Sequence, residues 1–378
     1  MTRTIFALCA LLSWWSWIPL LAAEEGAPPE AVPVHVSVDP RVELMSVIFR
    51  LAGNPEYGKG CIRSYNREVD EHFGAHKEHP VIALARDLRR TRGVSYDAPM
   101  SLAVHLANGF SLEPAAPLAP RPERLDGRWH PDELRDFLEK ARDFARQSGF
   151  QQFFESHQAL YEGAAGRMKA LAQHAHLDWF GPYFGVKEKP AFHVVIGMLN
   201  GPGSYGPSFS GAGGQKLYCI LGAWQLNMAG EPTFSKGVLP TVVHEFCHSF
   251  VNPVVYAHAS ELKEAGEAIY SRVEAGMRKM AYGNWKTMMH ESLVRACVVR
   301  YRTAHEGRLA ATGEMLQQWA LGFAWVPKLA QVLEEYENDR KRYLTLEDFF
   351  PRIVEFFDQY AESLSPQPAE VTAQTAPG

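Results

Sequence analysis

A chain of 378 residues that is 46% hydrophobic can bury a large core, in one domain or in two. With 21% charged residues and a formal net charge of −5, it carries no basic field suited to nucleic acid. Composition leaves an enzyme-sized globular protein and nothing finer.

The first 23 residues read as a secretory signal. Arg3 precedes an apolar run over residues 5–21, and Ala22-Ala23 offer small residues before Glu24-Glu25. The run is short of the roughly 20 residues that a membrane span requires. An uncleaved N-terminal anchor is the alternative. The expectation is an exported chain, periplasmic or secreted, with no stable membrane insertion once the signal is removed. Cys9 belongs to the signal. Cys61, Cys219, Cys247 and Cys297 are too sparse for a disulfide framework and show no C-x-x-C spacing.

Val32, Val34, Val36 and Val38 alternate with other residues between Pro28 and Pro40, the pattern of a short strand. Residues 42–51 are apolar at helical spacing and stop at Gly53-Asn54-Pro55. Residues 69–92 hold two helices parted by His79-Pro80, and residues 113–122 form a proline-rich connection. Residues 131–176 read as two or three helices, with Pro131 at a helix start and a stripe of Leu134, Phe137, Leu138, Ala141 and Phe144. Residues 192–199 predict a buried strand and residues 217–221 a second one. Residues 201–214 between them are dense in Gly, Ser and Pro and read as a loop. A helix over 238–251 stops at Asn252-Pro253, and further helices follow over 261–281, 287–303, 315–337 and 345–360. The expected class is α+β, mostly helical, with a small mixed or antiparallel sheet beside helix 238–251. Residues 24–362 read as one domain, a subdivision near 113–130 being the alternative. Residues 363–378 read as a disordered tail.

Helix 238–251 carries His244-Glu245-Phe-Cys-His248. Four residues make just over one turn, so His244 and His248 project from one face and can grip a single Zn²⁺. Glu245 lies about 100° around the helix, where it can take a proton from water activated by the cation. Val242, Val243, Phe246 and Phe250 give the helix apolar faces. The bland alternative is two ordinary histidines on an ordinary helix. A catalytic zinc takes a third protein ligand. Val251 and Val254 occupy the positions at which one zincin class places glycine and a third histidine, and no aspartate lies between His248 and Asp339. His258, Glu261, Glu264, Glu267, Glu274 and Glu291 remain. Glu291 is favoured, because it opens a helix that is apolar at Leu293, Val294, Ala296, Val298 and Val299, where a carboxylate needs a partner. Arg295, four residues on, could supply a plain helix ion pair or orient the ligand.

The motif followed by Glu291-Ser-Leu-Val-Arg-Ala296 resembles the gluzincin metallopeptidases, a likeness confined to the two metal-bearing helices. Forty-two residues lie between His248 and Glu291, more than in the best-known members. The wider chain, over roughly residues 40–360, resembles the DUF4932 domain family. The carrying segments are Val42-Glu-Leu-Met-Ser-Val-Ile-Phe-Arg-Leu-Ala-Gly53, His79-Pro80, Tyr205-Gly-Pro-Ser-Phe209 and His244-Glu-Phe-Cys-His-Ser-Phe-Val-Asn-Pro253. The gluzincin resemblance implies a glutamate ligand from a second helix and an edge strand lining the cleft, for which residues 217–221 are placed. Substrate could add there as an antiparallel strand. It also implies a Tyr or His that stabilises the oxyanion. Tyr301 and His290 are the candidates carried forward, with Tyr282, Tyr256 and Tyr205 beside them. Loop 201–214 could shape or cover the cleft, or be a plain connection.

Other residues take blander readings. Cys247 is a core residue. His72, His76 and His79 form a solvated helix face, and His174 and His176 are too close in sequence to share one. The expectation is an exported metallopeptidase with one Zn²⁺ per chain, held by His244, His248 and Glu291. Glu245 activates water, and the substrate is a peptide or protein. The alternatives are a catalytically inactive zincin-like binding protein and a zinc hydrolase acting on a non-peptide amide.

Overall fold

The computed structural model describes residues 32–186 and 189–364. The signal read over residues 1–23, and the tail beyond 364, lie outside them. Strand β1 (Val34–Ser37) leads into helices α1 (Pro40–Leu51), α2 (Arg63–Phe73), α3 (Pro80–Arg92) and α4 (Asp97–Val104). Helices α5 (Pro131–Gln147), α6 (Phe150–Ser156), α7 (Gln158–Ala172) and α8 (Phe180–Phe184) follow the proline-rich connection. Strands β2 (Ala191–Gly197), β3 (Ser208–Gly211) and β4 (Gly214–Gly222) come next. The remainder is helical: α9 (Leu239–Ala257), α10 (Lys263–Lys279), α11 (Trp285–His305), α12 (Arg308–Ala320), α13 (Val326–Asn338) and α14 (Leu346–Ser363). The class is α+β, mostly helical, with one small mixed sheet. No helix among the described residues is long and apolar enough to cross a membrane.

The strand order is β1-β2-β4-β3, with β1, β2 and β4 parallel and β3 antiparallel to β4. Phe192, Val194, Val195 and Ile196 of β2 are all buried, the near-continuous apolar run of a strand covered on both faces. Two expectations are corrected here. Residues 201–214 are not all loop, because Ser208–Gly211 pairs with Gly214–Leu217 as a hairpin whose Ser/Gly composition hides the strand. Residues 217–221 do not form an edge. β2 pairs along one side of them, while Ser208 and the Tyr205–Ile220 bridge occupy the other, with N···O distances of 2.8 and 3.0 Å.

Helix α9 packs on β4 and on α11. Its Val242, Val243, Phe246, Cys247 and Val251 are buried, and so are Met288, Leu293, Val294, Ala296 and Cys297 of α11. Cys247 is thus a core residue, as read. The expected stop at Asn252-Pro253 does not occur, and α9 runs one and a half turns further with Pro253 inside it. Proline removes the N–H that would reach the carbonyl of Ser249. Arg124 from the 113–130 connection supplies a replacement donor, Nη1 lying 3.1 Å from Ser249 O. The span 315–337 is likewise two helices, split where Gly322 adopts φ 94° and Pro327 enters the first turn of α13.

The amino-terminal helices are tied to the sheet through a buried carboxyl. Glu43 on α1 accepts the Met198 N–H just beyond β2 (2.9 Å) and the Tyr65 O–H (2.8 Å), and Tyr65 shares a further bond with Tyr161. Burial raises the Glu43 carboxyl to about 7. Met198 leads into the glycine-rich loop, so this bond helps fix where that loop begins.

Candidate metal centre

One turn of α9 puts His244 and His248 side by side, with Nε2 atoms 3.2 Å apart. From α11, Glu291 brings Oε2 to 3.5 Å from His244 Nε2 and Oε1 to 3.5 Å from His248 Nε2. Donors held about 2.0–2.2 Å from one tetrahedral cation stand roughly 3.3–3.5 Å from each other. Each imidazole thus meets a carboxylate oxygen at about that separation, a different oxygen in each case, and with one atom from each residue the three donors lie within 4.8 Å of one another. These residues are the one potential metal-holding group of three or more His, Cys, Asp or Glu among the described residues. The charges suit a cation as well. Burial, with His248 adding to it, lowers His244 to about 3, which leaves that imidazole neutral with a free lone pair. Burial alone would raise the Glu291 carboxyl, but Arg295 and then the two imidazoles outweigh it and hold it at about 2.

Each donor is oriented from behind. His248 Nδ1 donates to Asn252 Oδ1 at 3.1 Å, one turn further along α9, which turns the Nε2 lone pair toward the centre. Arg295 Nη2 donates to Glu291 Oε2 at 3.0 Å and to the Tyr282 hydroxyl oxygen at 2.8 Å. Arg295 Nη1 donates to Gln318 Oε1 at 2.6 Å. Gln318 Nε2 donates to Glu314 Oε1 at 2.5 Å, and Glu314 Oε2 accepts from Arg302 at 2.7 Å. Gln318 and Glu314 are both buried. The ion pair expected between Glu291 and Arg295 is thus the first link of a chain that crosses from α11 to α12.

A model of the family described as a domain of unknown function (DUF4932) matches residues 34–356, from the start of β1 into α14. The chain belongs to the DUF4932 family. No curated protein and no solved structure matches it.

In this DUF4932 chain Glu245 is buried beside the triangle, and burial followed by the charge of Glu291 pushes its carboxyl well above the usual range. Gly206 packs directly against its backbone. A Cβ on that glycine would lie 2.0 Å from the Glu245 carbonyl oxygen, so only glycine fits there. Loop 201–214 is therefore built into the site and is not a plain connection. His244, Glu245, Tyr282 and Arg295 line a cavity of about 910 Å³, which runs out past Trp224, Lys236 and Tyr301 to His176 and His305.

The candidate oxyanion donors fall in different places. His290 is buried beside His248, its ring edge-on to Tyr256 at 4.3 Å, and its Nε2 has no hydrogen-bond partner among the described residues. Burial, then His248, lowers it to about 4, so it is neutral. Tyr301 follows Glu291 by ten residues, about 15 Å along the helix axis. It packs edge-on to Trp179 and against His305, so it walls the cavity and does not join the donors. The rejected ligands are engaged elsewhere. His258 bonds Glu261 (2.8 Å) and Glu347 (2.9 Å), Glu264 and Glu267 are exposed, and Glu274 pairs with Arg278. His72, His76 and His79 form no shared face. His72 reaches Ser148 O, and His79 is buried against Asp143. Asn252, Gln318 and Glu314 were missed by sequence reading. Asn252 lay inside a stop signal, and polar residues spaced four apart on α12 read as a solvent face.

Proposed function

We propose that the protein is a zinc-dependent peptidase of gluzincin type, exported from the cell. The observation that carries this reading is a buried carboxyl, Glu245, set beside two imidazoles and a carboxylate whose donor atoms converge from two packed helices. The donor set of two His and one Glu fits zinc, and a fourth position is left for substrate chemistry. Zinc bound by His244, His248 and Glu291 supplies Lewis acidity, lowering the pKa of water to about 7 and polarising a carbonyl.

The chain's own residues do the rest. Glu245 is the general base: a cation held by the three donors would favour its ionised form, and that carboxylate would accept a proton from the attacking water and return it to the departing amide nitrogen. Arg295 and Tyr282 keep Glu291 ionised and fixed in direction. Asn252 fixes the tautomer of His248. His290, buried and neutral, can donate a hydrogen bond to the oxyanion with the ring nitrogen that carries its proton. A structural zinc has no use for a base, so a buried acid beside the donors favours catalysis over a silent binding module.

Zinc content and hydrolysis of a mixed peptide library, measured on purified wild type, Glu245→Gln and Glu291→Ala, test this. Glu245→Gln is expected to keep its zinc and lose at least about a hundredfold in rate, and Glu291→Ala to lose zinc. Unchanged hydrolysis in Glu245→Gln would exclude the mechanism. Hydrolysis of simple amides with no cleavage of any peptide would move the reading to a non-peptide amidase.

A further inference from the structure

With residues 217–221 paired on both sides, a substrate at Glu245 needs another track, and the 910 Å³ cavity supplies one. Its floor is a single face of α11. Arg295, Val298, Arg302 and His305 all line it, at the i, i+3, i+7, i+10 spacing that sets helical side chains in one row. Glu291, which meets His244 and His248, lies one turn before Arg295. His305 follows Glu291 by fourteen residues, about 21 Å along the helix axis. The charges of this floor are already paired. Arg295 is held by Glu291, and Arg302 by Glu306 (2.9 Å) and Glu314 (2.7 Å). The floor therefore offers hydrogen bonds and ring surface along its length, which suits a polar main chain better than a small ion.

At the far end of the cavity His176 stacks on His305, with centroids 4.4 Å apart and planes 11° from parallel. His305 packs in turn against Tyr301, whose ring meets Trp179 edge-on, so the pair stands on an aromatic wall. His176 is exposed and holds φ 40°, ψ 50°, left-handed backbone that few residues other than glycine adopt. Elsewhere in the fold His79, His157 and His258 bond carboxylates, and His72 bonds a carbonyl. Neither ring of this pair has a side-chain hydrogen bond among the described residues. The fold makes no use of their hydrogen-bonding capacity.

We infer that this cavity holds one side of an extended peptide along α11, with the His176–His305 pair as its distal subsite. An extended chain rises about 3.3–3.4 Å per residue, so the track from Glu291 to His305 takes about six residues. Imidazole suits the distal position, because its ring body packs on side chains and amide planes while a ring nitrogen bonds the main chain. The inference rests on the peptidase reading. It makes the substrate an unfolded stretch of chain, since a folded domain cannot lay six extended residues along a groove.

The test uses zinc-loaded full-length protein and peptides that span one cleavage site of reduced, alkylated casein, shortened residue by residue from each end. Hydrolysis gives kcat/KM, and anisotropy of the fluorescein-labelled set on Glu245→Gln gives affinity without turnover. Trimming one end is expected to cost nothing until about six residues remain on that side of the cleaved bond. Loss of the sixth should then lower both readouts about tenfold. His176→Gly, which keeps the left-handed backbone and removes the ring, should show the same tenfold loss on the long peptide. It should match the parent on peptides trimmed to about four residues on that side, with zinc content and melting temperature unchanged. Loss at every length alike in His176→Gly, or full activity on the long peptide, overturns the subsite. Cleavage and binding that ignore peptide length defeat this inference alone. No cleavage of casein and no binding of its peptides defeat the peptidase reading with it.

Discussion

Replacing Glu43 with glutamine alters the pH dependence of stability by an amount that the buried carboxyl sets. In the folded chain Glu43 accepts from Met198 N–H and Tyr65 O–H in a fully buried site, and burial raises its ionisation from 4.5 to about 7. Below pH 4.5 both states hold the proton and the carboxyl contributes its full share. Between 4.5 and about 7 the unfolded chain releases the proton and the folded chain keeps it, so stability falls as pH rises. At 1.36 kcal/mol per pH unit the loss approaches about 3 kcal/mol by pH 8.5. Glutamine has the hydrogen-bonding pattern of the protonated acid: its Oε1 can accept from Met198, and its amide can donate to Tyr65, which then donates to Tyr161. Glu43→Gln is therefore expected to match wild type near pH 4.5 and to exceed it by about 3 kcal/mol at pH 8.5, roughly 4 °C in melting temperature for a chain this long. Urea and thermal melts of both proteins at several pH values measure this, and the difference between them cancels every other titrating group. A difference that stays constant within about 1 kcal/mol from pH 4.5 to 8.5 would refute the placement of an ionisable Glu43 in a dry site.

Three further outcomes follow from the structure. Asn252→Ala removes the partner of His248 Nδ1 and should weaken zinc binding about 10- to 100-fold in a chelator competition, with little change in melting temperature; unchanged affinity would show that the ring is held some other way. Gly206→Ala forces a methyl against the Glu245 carbonyl and should lower stability by about 1–3 kcal/mol in urea melts, whereas a neutral result would mean that the loop lifts freely from α9. Arg124→Ala uncovers the Ser249 carbonyl and should lower stability by about 1 kcal/mol while zinc stoichiometry stays the same. Loss of zinc from that variant would contradict its role as a helix patch.

What could be read from sequence was local. His244, Glu245 and His248 lie within one turn, so helical geometry alone determines which of them converge. Glu291 was accessible because a carboxylate opening an apolar helix needs a partner, and Arg295 lies one turn away. The order of helices and the class of fold followed from periodicity in the same way. Features made by distant segments were hidden. Pro253 reads as a stop unless Arg124, more than a hundred residues earlier, is known to cover the freed carbonyl. A Gly/Ser tract gives no sign that four of its residues pair as β3, and so residues 217–221 looked like an edge. Gln318 and Glu314 resemble solvent-facing residues until α12 is laid against α11.

The bonds from Glu291 through Arg295, Gln318 and Glu314 to Arg302 are made between protein groups. They brace the carboxylate as rigidly as a mortised joint, without help from a cation. A zinc finger spends most of its metal affinity on folding its own chain; here the scaffold has no such debt. If the chain is the zinc peptidase proposed above, chelation should abolish hydrolysis while leaving one cooperative melt, and zinc added back should restore it without a refolding step.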